Sequence, residues 1–185
     1  MTKLTKEEKA VVDPLVKYFC DPKRSGATWH IKHRPKGKSA TGTDLHVARK
    51  NGNLDLLVEA KHIKGAFAAS MSGLVLSPLV RKHNPLPRNG FYCWAIGCGY
   101  SGGWDYMPRM VQCLCDYFAR NPKFWPYYSK LLRVKYIFFV DRQKKVAKIS
   151  FVRMLRLIKT HRYDPSLKPR QKQELAQVLL KLRYK

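Results

Sequence analysis

The sequence predicts a single α/β domain with a mixed central β-sheet flanked by helices, and three observations predict it. Segments of helical spacing alternate with short apolar runs in the order helix, strands, helix, strand, helix, strands, helix. An Asn-Gly pair joins two alternating runs, the pattern of an antiparallel hairpin. The 185 residues, 45% of them hydrophobic, suffice for one sizeable core, and no repeat or long linker divides them. The domain is read as residues 1–185, with a core over about 5–140 and a basic C-terminal hairpin and helix over about 141–185.

Residues 5–20, TKEEKAVVDPLVKYFC, repeat Val11, Val12, Leu15, Val16 and Phe19 at helical spacing. Thr5 with Glu8 three residues on fits a capping box, and Pro14 is expected to kink or split the helix. TWHIKH (28–33) reads as a short strand, and RPKGKSATG (34–42) as a polar, basic loop. TDLHVAR (43–49) and LDLLVEAKH (54–62) are the two hairpin strands. AFAASMSGLVLSPLVRKH (66–83) reads as a largely buried helix with a break at Pro78. GFYCWAIGCGY (90–100) is apolar nearly throughout, as a strand buried on both faces would be. DYMPRMVQCLCDYFAR (105–120) returns to helical spacing. RVKYIFFVD (133–141) and KKVAKISFV (144–152) are two more strands around a turn at DRQK, and RQKQELAQVLLKLRYK (170–185) is the last helix.

The hairpin carries the chemistry. With Asn51 and Gly52 in a type I′ turn, Lys50 faces Asn53, Val47 faces Leu56 and Leu45 faces Val58. These pairs build one apolar face. The other face places Asp44 opposite Glu59, His46 opposite Leu57 and Ala48 opposite Asp55, with Lys61 two residues past Glu59 on the same side. A slip of one residue would bury the charges. Directly opposed residues have Cβ atoms roughly 4.5–5.5 Å apart, where like charges destabilise a sheet. A divalent cation between Asp44 and Glu59 relieves that repulsion, and hard oxygen ligands suit Mg²⁺. Lys61 adds a positive donor where a phosphate or an attacking water would sit, so the group has the parts needed for phosphodiester hydrolysis. The plain alternative is a hairpin with a wet, charged outer face.

The charge points the same way. Thirty-seven Lys and Arg against 12 Asp and Glu give a net charge of +25. A polyanion relieves the resulting self-repulsion, and counterion release drives its binding. Nucleic acid is the expected partner, DNA in the first instance with RNA left open. The N-terminal stretch is charged throughout, and runs such as YIFFV are far too short to span a bilayer, so no membrane is expected. Five cysteines without a secretory signal read as reduced thiols of a cytoplasmic protein, nucleoid-associated or in a host cytoplasm if viral.

Thr43-Asp44, followed fifteen residues after Asp44 by the Glu59-Ala60-Lys61 of LLVEAK, resembles the PD-(D/E)xK, or restriction-endonuclease-like, nuclease superfamily. Threonine stands where the family's motif has proline, a variable position. The layout over about residues 5–110 is similar to the archaeal Holliday junction resolvases. The resemblance implies a restriction-endonuclease-like core and a Mg²⁺-dependent endonuclease (Mn²⁺ as a substitute) that hydrolyses DNA phosphodiester bonds. It implies Asp44 and Glu59 as metal ligands and Lys61 as the residue that positions or activates water. A further metal-site Glu from the first helix would be Glu7, or Glu8 if the capping box does not claim it. The resemblance leaves open whether the target is a junction, a restriction site, a damaged duplex or a transposon end, and cutting two strands suggests a homodimer. The rival reading is a non-catalytic nucleic-acid-binding module of the same fold within a larger complex.

The remaining candidates divide between function and structure. Asp55 is either a second ligand or a hairpin-edge carboxylate near Lys50. His46 is either a phosphate contact or a half-exposed strand histidine. Lys32, Arg34, Lys36 and Lys38 before the site, and Lys64 after it, are candidate nucleic-acid contacts, within a wider scatter of basic residues that includes RQKKVAK at a hairpin tip. Cys93, Cys98, Cys113 and Cys115 lack the usual C-x2-C spacing of a metal site and read as buried thiols. GCGYSGGW (97–104) lacks the Gly-Lys-Ser/Thr of a P-loop and reads as a flexible loop near the sheet edge. FWPYYSK (124–130) offers aromatics for base stacking or, more simply, for packing.

Overall fold

The computed structural model describes residues 6–33, 43–63, 88–98, 107–160 and 163–181. The expected helix over 66–83 lies outside them, as do Arg34, Lys36, Lys38 and Lys64 and the side chains of Glu7 and Glu8.

Six strands form one mixed sheet in chain order: β1 (Trp29–His33), β2 (Leu45–Arg49), β3 (Asp55–Ile63), β4 (Gly90–Cys98), β5 (Val134–Val140) and β6 (Val146–Ser150). β1, β2 and β3 form an antiparallel meander, β3, β4 and β5 run parallel, and β6 returns antiparallel to β5. β4 is buried on both faces, as its apolar sequence requires: Cys93 and Ala95 point to one side, Tyr92, Trp94 and Ile96 to the other.

Helix α1 (Lys6–Cys20) covers the first face. Its Val11, Val12, Leu15, Val16 and Phe19 pack on Leu45, Val47, Leu56, Val58, Ala95 and Phe138. α1 runs through Pro14 unbroken. A one-turn helix, α2 (Pro22–Ser25), follows, with the Asp21 side chain capping it by accepting from Lys23 N–H. On the second face lie α3 (Met107–Arg120), α4 (Phe151–Thr160) and α5 (Pro169–Lys181). They pack on Leu57, Trp94, Ile96, Ile137 and Phe139. Trp94 stacks on Phe118 at 6.0 Å and meets Phe151 edge-on at 5.5 Å, geometries favoured by aromatic quadrupoles. Among the described residues no helix is long and apolar enough to cross a membrane.

Helix α4 corrects the sequence reading, which carried the last strand through Val152. β6 ends at Ser150, whose Oγ accepts the Arg153 N–H and caps the new helix. Phe151, Met154, Leu155 and Ile158 then recur at helical spacing and are buried. The segment 124–130 serves packing at two of its aromatics. Tyr128 is buried in the core, and Trp125 Nε1–H donates to the Phe118 carbonyl.

Candidate active site

The hairpin has the expected register. Leu45 pairs with Val58, His46 with Leu57, Val47 with Leu56 and Ala48 with Asp55. The turn differs. Arg49 N–H donates to Leu54 O and Gly52 N–H to Arg49 O, so four residues, 50–53, form the loop. Gly52 has φ 71°, whereas the non-glycine residues with positive φ among those described are Arg133 and Lys144. Asn51 is therefore not in the left-handed region that a type I′ turn demands. The loop grows by one residue on each side, which takes Lys50 and Asn53 out of the ladder and preserves the register of the four pairs from Leu45–Val58 to Ala48–Asp55.

The end of the hairpin differs from a simple ladder as well. β2 begins at Leu45, and Asp44 stands just before it rather than in a regular pair with Glu59. Asp44 N–H donates to Val58 O at 3.0 Å. Its Oδ2 accepts the Ala60 N–H at 2.8 Å. Asp44 is thus fastened to both chain neighbours of Glu59. Along β3, Val58 and Ala60 face α1, while Leu57 faces the helices on the other side. Strand alternation puts Glu59 and Lys61 on the side of Leu57. Glu59 is half-buried and Lys61 exposed. Glu59 is the central residue of β3 and Lys61 lies in its C-terminal half, toward the end at which parallel α/β sheets bind their ligands.

Glu7 lies in α1, one helical turn before Val11. Val11 abuts Gly97, and Gly97 pairs with His62 through the β3–β4 ladder, so the first turns of α1 sit at the same end of the sheet as Lys61. α1 occupies the opposite face from Glu59, however.

Asp55 finds different partners from the expected Lys50. Its Oδ2 is 2.9 Å from Lys32 Nζ and 3.1 Å from His46 Nε2. Burial alone would raise the Asp55 pKa, but hydrogen bonds and charge from Lys32 and His46 outweigh it and hold the carboxyl below its ordinary value. Lys32, His46 and Asp55 thus form one cluster across β1, β2 and β3. The sequence reading had Lys32 as a candidate nucleic-acid contact and His46 as either a phosphate contact or a half-exposed strand histidine. The structure brings them first to Asp55, while the Lys32 side chain remains 50% exposed.

Among the described residues, Cys93 does not converge with Cys113 and Cys115. Cys93 lies in the core under α1, and Cys115 lies in the core on the other side of the sheet. Burial pushes the Cys93 thiol up to about 12 and the Cys113 thiol up to about 11. Asp116, near Cys113, accepts from Tyr163 Oη–H at 2.8 Å and pairs with Lys172 at 3.0 Å. The buried Lys172 ammonium also donates to the Pro165 carbonyl, so this polar group ties α5 to α3.

Among the described residues, no group of three or more His, Cys, Asp or Glu side chains is placed to hold a metal ion. The two carboxylates Asp44 and Glu59 are the donor set to be weighed. Two hard oxygen donors fit Mg²⁺, which takes one or two carboxylates and keeps several of its waters. Compared with protein-family models, curated proteins and solved structures, the chain shows no significant match.

Proposed function

We propose that the protein is a Mg²⁺-dependent endonuclease with a restriction-endonuclease-like core, acting on DNA. The observation that carries the reading is the attachment of Asp44 to β3 on either side of Glu59, through Val58 O and Ala60 N–H. The attachment fixes the Asp44 carboxylate on the backbone of the strand that bears Glu59, where a divalent ion held by the two acids would offset their repulsion.

In this reading Asp44 and Glu59 hold the ion. The Ala60 N–H fixes the rotamer of Asp44, so one ligand is preorganised by the backbone of the strand that bears the other. Bound Mg²⁺ supplies Lewis-acid polarisation of the phosphoryl group and lowers the pKa of water. Lys61, exposed on the same face of β3, orients the attacking water and offsets charge developing on the phosphate. The cluster of Lys32, His46 and Asp55 stiffens the neighbouring strands and leaves part of Lys32 facing solvent for a phosphate. Cutting both strands of a duplex requires two such sites, so a second copy of the chain belongs to the same proposal.

Metal binding tests it. Mn²⁺ is titrated into wild type and Asp44→Asn, and bound ion is followed by water-proton relaxation. Binding by wild type that the substitution weakens at least tenfold is expected. Equal binding by the two proteins, or none by wild type with DNA present, overturns the assignment of Asp44 and favours the binding-module reading.

A further inference from the structure

We infer that the groove between the outer flank of α1 and the β5–β6 turn is a second nucleic-acid-binding surface, one that seats the phosphodiester backbone away from Glu59 and Lys61. The groove encloses about 1000 Å³. Among the described residues its cations are Lys6, Lys9, Lys17, Arg24, Lys144 and Lys145, and its one acidic lining residue is Asp13. Arg24 shares its charge with Asp21 at 3.2 Å. Lys6, Lys9 and Lys17, with Asp13 between the last two, stand three, four and four residues apart, which aligns them along one stripe of α1.

The turn supplies a second, independent observation. Lys144 has φ 62°, a left-handed conformation that disfavours any residue with a Cβ. Asp141 closes the turn: it accepts Lys144 N–H on its carbonyl at 2.9 Å and Lys145 N–H on its carboxylate at 2.8 Å. Glycine or asparagine fills such a position at least cost. A lysine held there, at the lip of a basic groove, is local strain of the kind found at binding sites.

Position relates the groove to the candidate active site. Val140, the last residue of β5, pairs with Gly97, which pairs with His62 of β3. The turn after β5 therefore lies at the same end of the sheet as Lys61, and the first turns of α1 lie there too. A polyanion crossing this end meets both places. The shape favours a nucleic acid over a bilayer, because the surface is concave and its rim is lysine rather than the apolar wedge that interfacial binding needs.

The inference rests on the nucleic-acid half of the proposed function and not on cleavage, so it is tested in EDTA. Binding of a fluorescent 20-bp duplex is measured against salt for wild type, for Lys6→Gln/Lys9→Gln/Lys144→Gly, and for a control triple, Lys123→Gln/Lys159→Gln/Lys181→Gln, exposed elsewhere. The groove triple is expected to lose at least tenfold in affinity at 0.1 M salt. Its salt slope should fall by roughly 2.7, at ~0.9 per phosphate contact, with the control triple losing far less. Lys144→Gly alone should bind more weakly while unfolding at the same or a higher temperature, since glycine accepts that φ. Equal losses in the two triples would reduce the effect to net charge and overturn the inference. So would unchanged duplex binding, including the case in which phosphatidylserine vesicles, and not DNA, respond to the groove triple. Metal-independent DNA binding that follows the groove would uphold it even if no DNA is cut.

Discussion

The Asp44 carboxylate accepts the backbone N–H of Ala60 at 2.8 Å, and so a residue just outside β2 is held by the strand that carries Glu59 and Lys61. Ala60 is buried, which makes its N–H costly to leave without an acceptor. Asp44 therefore has a structural duty beside any catalytic one, and the two separate by substitution. Asparagine keeps an acceptor and alanine does not. Asp44→Ala should lose about 1–3 kcal/mol of stability in urea, and Asp44→Asn clearly less. Equal losses would mean that the hydrogen bond does not fasten the hairpin end.

Lys61 separates chemistry from binding. It is exposed on β3. Lys61→Met should fold with wild-type stability, bind DNA within a fewfold of wild type, and cut at least about 100-fold more slowly, the scale of losing one donor to transition-state charge. A loss confined to KM would make Lys61 a binding residue only.

Asp55 sets an acid limb of stability. Its pKa in the folded protein lies below the ordinary 3.8, because Lys32 and His46 favour the charged form. A depressed carboxylate contributes stability that is complete above its unfolded pKa and is lost as pH falls through the folded value. Wild type should therefore lose stability below about pH 4 more steeply than Asp55→Asn, in denaturation curves taken from pH 6 to pH 2. Parallel curves would remove Asp55 from that role.

Gly97 tests the seat of α1 on the sheet. A Cβ at this position would approach Val11 Cγ2 more closely than real Cβ contacts come. Gly97→Ala should cost about 1–3 kcal/mol through overpacking. In a Val11→Ala background the same added methyl should cost less, with a coupling of about 0.5–3 kcal/mol in a double-mutant cycle. Additive effects would mean that α1 does not lie against β4 at this point.

Much of this arrangement was legible in the sequence, and the misses have physical causes. The register of β2 on β3 followed from the alternation of Leu45 and Val47 against Leu56 and Val58, because a slip would bury Asp55 and Glu59 on the side of α1. The turn was misread because Asn-Gly carries a type I′ preference, yet a four-residue loop from Lys50 to Asn53 satisfies the same register with positive φ at Gly52. The Lys32–His46–Asp55 cluster was hidden because the pairing of β1 with β2 carries no local turn signal. His30 opposite Ala48 is visible in the ladder and not in the spacing. Ser150 was a readable cap for α4, passed over because the apolar Phe151 and Val152 extend a strand pattern as well as they open a helix. The groove could not be read at all, since it joins α1 to a turn more than 120 residues away.

Cleavage itself tests the central claim most directly. Wild type and Asp44→Asn are incubated with a linear duplex, a single strand, a splayed fork and a four-way junction, each with Mg²⁺ and with EDTA. The account expects at least one of these DNAs to be cut by wild type in Mg²⁺ alone, with Asp44→Asn folded, bound to the same DNA and slower by 100-fold or more. Tight, salt-sensitive binding of all four without cleavage, or cleavage undiminished in Asp44→Asn, would contradict it.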